Sequence, residues 1–163
     1  MNPEQARAFA LIAHGDQRYG EHRPYSYHLD QVVSHLQSFG ETAMIIGYLH
    51  DVVEDTATRL TDIRSAFGDL VADCVSLLTD EPGNNRKERK AKTYAKLALV
   101  SGPTEMALIV KTADRLANVK ACIADQKSEL LRVYRDEHPA FRSAAFRVGQ
   151  CDGLWQQLDS LLA

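Results

Sequence analysis

The sequence predicts an all-α fold, and three observations support this prediction. Apolar residues recur at spacings of three and four through most of the chain, which is the pattern of a helix with one buried face. No stretch alternates apolar and polar residues with a period of two, so we expect few or no strands. Glycine, proline and capping residues divide the chain into roughly eight to ten segments of helical length. We therefore expect one compact helical domain over residues 1–163.

The first third of the chain predicts three helices. Asn2 and Pro3 have the character of an N-cap and a first helical residue. Residues 15–25 combine glycine, proline and charge, which predicts a loop. A second helix is expected over about 27–40, where glycine ends it. The third is expected to run without interruption over about 41–55.

The rest of the chain shows equally clear breaks. Residues 80–85 read Asp-Glu-Pro-Gly-Asn-Asn, the strongest loop signal in the sequence. The helix expected over about 105–123 is apolar enough to lie at the centre of the fold. The other expected helices are one ending at Gly68, one over 69–78, one from 86 to about 100, and two C-terminal helices separated near Pro139.

Composition argues against several functional classes. The formal net charge is −3, whereas nucleic-acid binders are usually basic. Cys74, Cys122 and Cys151 are far apart and lack metal-binding spacing, which is typical of reduced thiols. The polar N-terminus does not resemble a signal peptide, and no apolar run approaches the roughly 20 residues that span a bilayer. We expect a cytoplasmic protein that binds neither nucleic acid nor membrane.

The most unusual stretch runs from Gly47 to Asp55. On a helix, His50, Asp51, Glu54 and Asp55 fall on one face, within an arc of roughly 140°. Three carboxylates packed this closely repel one another, and burying them unpaired costs several kcal/mol. A bound cation is the simplest compensation. Gly47 projects onto the same arc, where a missing side chain is expected to leave room for a ligand.

Two further polar anomalies lie elsewhere. Asp114 shares a stripe with Lys111, Arg115 and Asn118 on an otherwise apolar helix. Taken alone, this stripe also fits a buried ion pair that joins two helices. His28 lies near a helix start, where a lone histidine is more often a cap or a satisfied core residue than a ligand.

Taken in order, these residues resemble a known family. His28, then the His50-Asp51 pair, then Asp114 follow the H…HD…D signature of the HD superfamily of metal-dependent phosphohydrolases. The segments HDxxED, from His50, and KxADRLxN, from Lys111, resemble most closely the RelA/SpoT hydrolase domain and the Mesh1-type small alarmone hydrolases. The resemblance extends over about residues 4–122.

The resemblance implies a metal centre and an acidic pair. One Mn²⁺ would be held by His28, His50, Asp51 and Asp114, which suit a borderline divalent ion. It also implies that Glu54 and Asp55 transfer protons and orient the nucleophile. The alternative for these two acids is a solvated pair without a role.

A polyanionic nucleotide substrate needs local positive charge and contacts to base and ribose. The resemblance implies that Arg18 packs on the base and that the Arg89-Lys90 segment meets phosphates, although a charge run of this kind is equally often a solvated helix face. The candidate substrate-binding residues are Arg18, Arg89, Lys90, Lys111, Arg115, Asn118 and Tyr134.

The function implied by the resemblance is hydrolysis of the 3′-pyrophosphate of guanosine polyphosphates, with ppGpp giving GDP and pyrophosphate. One alternative is an HD phosphohydrolase that acts on another nucleotide, such as the 2′-phosphate of NADPH. A second is a module that binds a nucleotide without cutting it. A purely structural helical protein would leave the polar stripes unexplained.

Overall fold

The computed structural model describes residues 1–163 and is almost entirely helical. Its α-helices are α1 (Pro3–His14), α2 (Tyr25–Ser34), α3 (Glu41–Leu49), α4 (Val52–Asp55), α5 (Leu60–Phe67), α6 (Asp69–Leu78), α7 (Arg86–Ala98), α8 (Met106–Ala124), α9 (Ser128–Ala145) and α10 (Asp152–Leu162). Short 3₁₀ turns cover Gln37–Phe39 and Gly102–Glu105. An antiparallel hairpin joins β1 (Arg18–Tyr19) to β2 (Arg23–Pro24). The predicted all-α class and helix number are confirmed.

Helix α8 lies at the centre of the fold, as its apolar composition predicts. It packs against α2, α3, α6, α9 and α10, and most of its side chains are buried. A hydrophobic core of 36 buried residues surrounds it. Because α2, α3 and α8 contact one another, polar side chains on their facing surfaces are brought close together. No helix has both the length and the hydropathy needed to cross a membrane.

The segment expected as one helix over 41–55 is broken at its centre. Helix α3 ends at Leu49 and α4 begins at Val52, so that His50 and Asp51 form the junction. In an unbroken helix the Asp51 N–H would donate to the Gly47 carbonyl. That carbonyl instead pairs with Nδ1 of His50 at 2.7 Å. The side chain of His50 therefore competes with the helix ladder and ends it.

Gly47 does not leave room for a ligand, contrary to the sequence-based expectation. It faces α2, and a Cβ atom there would lie 2.7 Å from Leu36 Cδ1 and 3.0 Å from Val33 Cγ2. The glycine therefore allows α2 and α3 to pack closely.

Pro139 does not separate the two C-terminal helices, also contrary to expectation. Helix α9 continues through it, and the break falls after Ala145. A proline inside a helix removes one hydrogen bond to the carbonyl four residues earlier, here that of Arg135. Both residues are exposed, so solvent can reach that carbonyl.

Candidate metal centre and cleft

Four side chains from three parts of the chain, namely α2, the α3–α4 junction and α8, converge at the contact of these helices. His28 Nε2 lies 3.0 Å from Asp114 Oδ1 and 3.7 Å from Asp51 Oδ2. His50 Nε2 lies 3.0 Å from Asp51 Oδ2 and 3.3 Å from Asp114 Oδ1. Donor atoms that share one ion at about 2.1 Å lie about 3 Å apart when they are adjacent in an octahedron. One ligand atom from each of His28, His50 and Asp51 lies within 4.8 Å of the other two, so these three residues could hold a metal ion, and Asp114 lies beside the two histidines.

The protonation of His50 also fits a metal ligand. Its Nδ1 faces the carbonyl of Gly47 at 2.7 Å, so Nδ1 carries the proton in the neutral ring. Its Nε2 then carries a lone pair that faces the two carboxylates. This nitrogen is buried and has no hydrogen-bond partner. A buried acceptor without a donor is costly, and either a proton or a bound cation at this nitrogen would satisfy it.

The electrostatics of the cluster keep both carboxylates ionised. Burial opposes the charge on Asp51 and Asp114, but the neighbouring His50 outweighs it and holds both pKa values below their ordinary range. Burial likewise opposes charge on His50, and the two carboxylates overcome it and raise the pKa of His50 well above its usual value. The cluster thus favours positive charge at its centre.

Tyr25 orients one of these carboxylates. Its hydroxyl donates to Asp51 Oδ2 at 2.5 Å, the same oxygen that faces the histidines. Burial, followed by the charge of Asp51, raises the pKa of Tyr25, so the hydroxyl remains a donor.

Asn118 and Tyr19 support the opposite side of the cluster. Asn118 Nδ2 donates to Asp114 Oδ1 at 3.0 Å, and the Tyr19 hydroxyl donates to Asn118 Oδ1 at 2.7 Å. The Tyr19 ring stacks on the His28 imidazole with centroids 4.7 Å apart. The hairpin thereby fixes the orientation of His28 and Asn118.

These residues open into a cleft of about 260 Å³. It is lined by Tyr25, His28, Asp51, Glu54, Asp55, Arg86, Lys90, Lys111, Asp114, Arg115, Asn118 and Tyr134. Most of the candidate residues from the sequence therefore share one cavity. Arg18 is exposed on β1 and Arg89 is half-buried on α7, and neither lines the cleft. Their contact with a substrate stays a prediction.

The acidic pair lies at the edge of the cleft. Glu54 Oε1 accepts a hydrogen bond from the backbone N–H of Asp80 at 2.6 Å. Although Glu54 is exposed as a residue, neighbouring side chains desolvate its carboxyl group and raise its pKa. Asp55 Oδ2 accepts a hydrogen bond from Gln17 Nε2 at 3.0 Å.

Two lysines place positive charge on the facing wall. Lys111 is 7% exposed, and its Nζ lies 3.5 Å from Asp114 Oδ2. Burial opposes its charge, but Asp114 and Asp80 raise its pKa, so it stays charged. Lys90 Nζ contacts Asp80 Oδ2 at 2.8 Å, and burial together with the charge of Lys111 lowers the pKa of Lys90.

Two arginines share a single carboxylate at the far end of the cleft. Arg86 Nε donates to Glu137 Oε1 at 2.7 Å, and Arg115 Nη1 lies 3.2 Å from Glu137 Oε2. Arg115 also donates to the hydroxyl of Tyr94 at 2.7 Å and stacks over the ring of Tyr134. This cluster joins α7, α8 and α9.

A model of the HD domain family matches residues 6–150 of the chain. The chain belongs to the HD domain family. The His-Asp pair that gives the family its name is the α3–α4 junction described above.

Relatives of this HD domain include much longer proteins. A guanosine-3′,5′-bis(diphosphate) 3′-pyrophosphohydrolase of Aquifex aeolicus is 29% identical over 148 residues, which is 90% of this chain and 21% of that protein. A probable guanosine-3′,5′-bis(diphosphate) 3′-pyrophosphohydrolase of Synechocystis is 30% identical over 160 residues, which is 95% of this chain and 21% of that protein. The chain thus spans about a fifth of the length of these relatives.

A solved structure shares the fold of this HD domain. It is described as a metazoan ortholog of SpoT that hydrolyzes ppGpp, and it superposes with a TM-score of 0.79. The match covers 98% of this chain and 92% of the other at 23% identity. At this identity the likeness shows a common fold.

Sequence reasoning missed two groups that line the cleft of this HD domain. The sequence-based candidates do not include Tyr25, although it lies three residues before His28 and can reach the same site from the first turn of α2. They also do not include Arg86, although it lies four residues before Lys90 and therefore on the same face of α7. Helical spacing was the signal that could have favoured Arg86 over Arg89.

Proposed function

We propose that this HD domain hydrolyses the 3′-pyrophosphate of guanosine polyphosphates, with ppGpp giving GDP and pyrophosphate. The observation that carries the proposal is that the HDxxED and KxADRLxN segments line one cleft, with metal-ligand geometry at its base. The names of the two bacterial relatives support this choice of substrate.

We assign the ion to the four converging side chains. His28, His50, Asp51 and Asp114 would hold Mn²⁺, for which mixed imidazole and carboxylate donors are suitable. When bound, such an ion polarises a phosphate oxygen and lowers the pKa of a water molecule. Tyr25 and Asn118 keep the two aspartates oriented through the hydrogen bonds already described.

Glu54 and Asp55 carry the protons in this proposal. A water oxygen attacks the phosphorus attached to O3′, the bond from that phosphorus to O3′ breaks, and O3′ takes a proton as pyrophosphate leaves. One carboxylate removes the proton from water, and the other returns a proton to O3′. Desolvation raises the pKa of Glu54, which favours the protonated form of a group that gives a proton.

The lysines and arginines that line the cleft bind the pyrophosphate. Lys90 and Lys111 face the metal-binding side of the cleft, while Arg86 and Arg115 lie beside Tyr134 at the far end. Arg18 then packs on the base from the hairpin, and Arg89 meets phosphate from outside the cleft. Asn118 contacts the ribose or a phosphate, and Tyr134 closes the cleft over the nucleotide.

A substrate panel tests this proposal. Purified protein is incubated with Mn²⁺ and ppGpp, pppGpp or NADPH at equal enzyme concentration, and the products are separated by chromatography. We expect GDP and pyrophosphate from ppGpp, and no turnover by Asp51→Ala. Asp136→Ala is the matched control, since Asp136 is exposed on α9 and lines no part of the cleft.

The outcomes separate the alternatives. Release of phosphate from NADPH without turnover of ppGpp would favour the alternative of an HD phosphohydrolase that acts on the 2′-phosphate of NADPH. Binding of ppGpp by calorimetry with no product would favour a nucleotide-binding module. Full turnover by Asp51→Ala would reject the proposed centre.

A further inference from the structure

A chain of hydrogen bonds connects a buried histidine to the acidic pair. His14, at the C-terminal end of α1, is 6% exposed, and its Nδ1 lies 2.8 Å from Gln17 Oε1. Gln17 Nε2 in turn lies 3.0 Å from Asp55 Oδ2. Neither His14 nor Gln17 lines the cleft, and the proposed function uses neither of them.

The direction of each hydrogen bond follows from elementary chemistry. An ionised carboxylate can only accept, so the amide nitrogen of Gln17 must face Asp55. The amide oxygen then faces His14, and Nδ1 of that ring must donate. Reversing the amide would set an oxygen against a carboxylate, which is repulsive. The carboxylate of Asp55 therefore determines how the Gln17 amide is oriented, and the amide oxygen in turn pairs with the Nδ1–H of His14.

The backbone around Gln17 prevents it from moving away. The Gln17 N–H donates to the carbonyl of His14 at 3.0 Å, and its own carbonyl accepts from the N–H of Tyr25 at 3.1 Å. The His14 ring lies against the ring of Tyr25, with centroids 4.5 Å apart. The anchor is thus continuous with the residue that orients Asp51.

Asp55 needs such an anchor because of where it lies. It is exposed at the end of α4, a helix of only four residues. The hydrogen bond from Gln17 is the contact that fixes its carboxylate, whereas an exposed carboxylate without a partner exchanges between rotamers.

We propose that His14 and Gln17 are positioning residues that hold the carboxylate of Asp55 in one orientation at the edge of the cleft. The proposal rests on the proposed function in one respect, because it takes Asp55 as a group that transfers a proton. A purely structural role, in which Gln17 only stabilises the turn between α1 and β1, makes different predictions.

Kinetics separate the two roles. We expect Gln17→Leu to lower kcat by about 10- to 100-fold, because a small misplacement of a catalytic group has an effect of this size, and to leave KM nearly unchanged. In an Asp55→Asn background the same change should cost less than about twofold, since residues that act through one another are not additive. An equal loss in both backgrounds, or none in either, would overturn the proposal.

Gln31→Leu is the matched control. Gln31 is exposed on α2, and its side chain makes no hydrogen bond, so kcat should be unchanged. Should Gln17→Leu not fold, Gln17→Asn is the second variant, because its amide is too short to reach both partners. Circular dichroism and thermal unfolding establish that each variant is folded.

Crystal structures show the Asp55 rotamer directly and do not depend on turnover. We expect a single Asp55 rotamer in the wild-type protein and a different or divided one in Gln17→Leu. An unchanged Asp55 rotamer in the variant would overturn the positioning role. If the wild-type protein acts on no nucleotide in the panel, the proposed function fails while this comparison still decides whether Gln17 positions Asp55.

Discussion

At the scale of single residues, His50 links the backbone to the candidate metal centre. By pairing with the Gly47 carbonyl, its Nδ1 takes the partner that the N–H of Asp51 would have in a continuous helix. The helix ends there, and Nε2 faces Asp51 and Asp114. One imidazole therefore sets both the bend of the chain and its own orientation towards the two carboxylates.

The hydrogen bond from Tyr25 to Asp51 gives a first prediction. Tyr25→Phe removes the hydroxyl and leaves the ring, so the aspartate loses its orienting donor. We expect the affinity for Mn²⁺ to fall by about tenfold, as is usual when a group that orients a ligand is lost. Isothermal titration calorimetry measures it. Tyr27→Phe is the control, since the hydroxyl of Tyr27 makes no hydrogen bond, and an affinity that is the same in both variants would contradict the prediction.

At the scale of elements, the distance between α2 and α3 decides whether His28 and His50 can share an ion. Gly47 allows the two helices to approach, because any larger residue would meet Leu36 and Val33. Leu36 is fully buried and has little space into which it can shift. The candidate metal centre thus depends on a glycine that does not touch it.

Gly47→Ala tests this dependence. Alanine favours a helix over glycine by about 1 kcal/mol, but overpacking a core costs about 1–3 kcal/mol. We expect a net loss of about 1 kcal/mol in the free energy of unfolding, measured with urea, together with weaker Mn²⁺ binding. Gly153→Ala is the matched control on α10, where a Cβ meets nothing within 4 Å, and it should be neutral or stabilising. Stabilisation by Gly47→Ala would show that the contact is not tight.

Glu137 joins three helices at the far end of the cleft and makes stability depend on pH. Burial raises its pKa, but the hydrogen bond from Arg86 and the charge of Arg115 outweigh burial, so the folded pKa lies below the ordinary 4.5. A carboxyl group with a lowered folded pKa adds stability above its unfolded pKa. That stability is lost as the pH falls through the folded value.

Glu137→Gln should therefore lower the free energy of unfolding most near neutral pH. We expect a loss of about 2 kcal/mol at pH 7, typical of hydrogen bonds to charged groups, and a smaller difference from the wild-type protein as the pH falls from about 6 to 3. Urea unfolding across this range measures both. Glu129→Gln is the control on α9, since Glu129 is exposed and unpaired. A difference in stability between Glu137→Gln and the wild-type protein that does not change with pH would contradict the lowered pKa of Glu137.

At the scale of the whole molecule, α8 holds the cluster together. It carries Asp114 in the middle of the core and contacts both α2 and α3, so the candidate ligands come from parts of the chain that are far apart. An ion bound by all three elements binds the folded state and not the unfolded chain. Its binding free energy is therefore added to the stability of the fold.

Mn²⁺ should consequently raise the melting temperature. At about 100 times Kd the gain is about 2.7 kcal/mol, or roughly 5–10 °C for a chain of this size. Differential scanning calorimetry with Mn²⁺ or with a chelator measures it. Asp114→Asn should abolish the shift and His22→Gln, at an exposed residue, should retain it. Equal melting temperatures with ion and with chelator would contradict a shared centre.

The sequence by itself determined the helical class and most helix positions, and it named the candidate residues for the chemistry. Helical periodicity and capping depend only on residues close together in the sequence. Asn2 and Asn85, for example, cap the helices that directly follow them. The HDxxED and KxADRLxN segments are likewise visible as patterns.

Only the tertiary structure decided how these parts meet. The break at His50, the close packing at Gly47 and the passage of α9 through Pro139 depend on side-chain competition, interhelical contact and exposure, which local patterns do not contain. The same holds for Tyr25 and Gln17, which became relevant because folding places them against Asp51 and Asp55. Contacts between residues far apart in sequence are fixed by packing, and for that reason the sequence could name the candidate ligands but not the side chains that orient them.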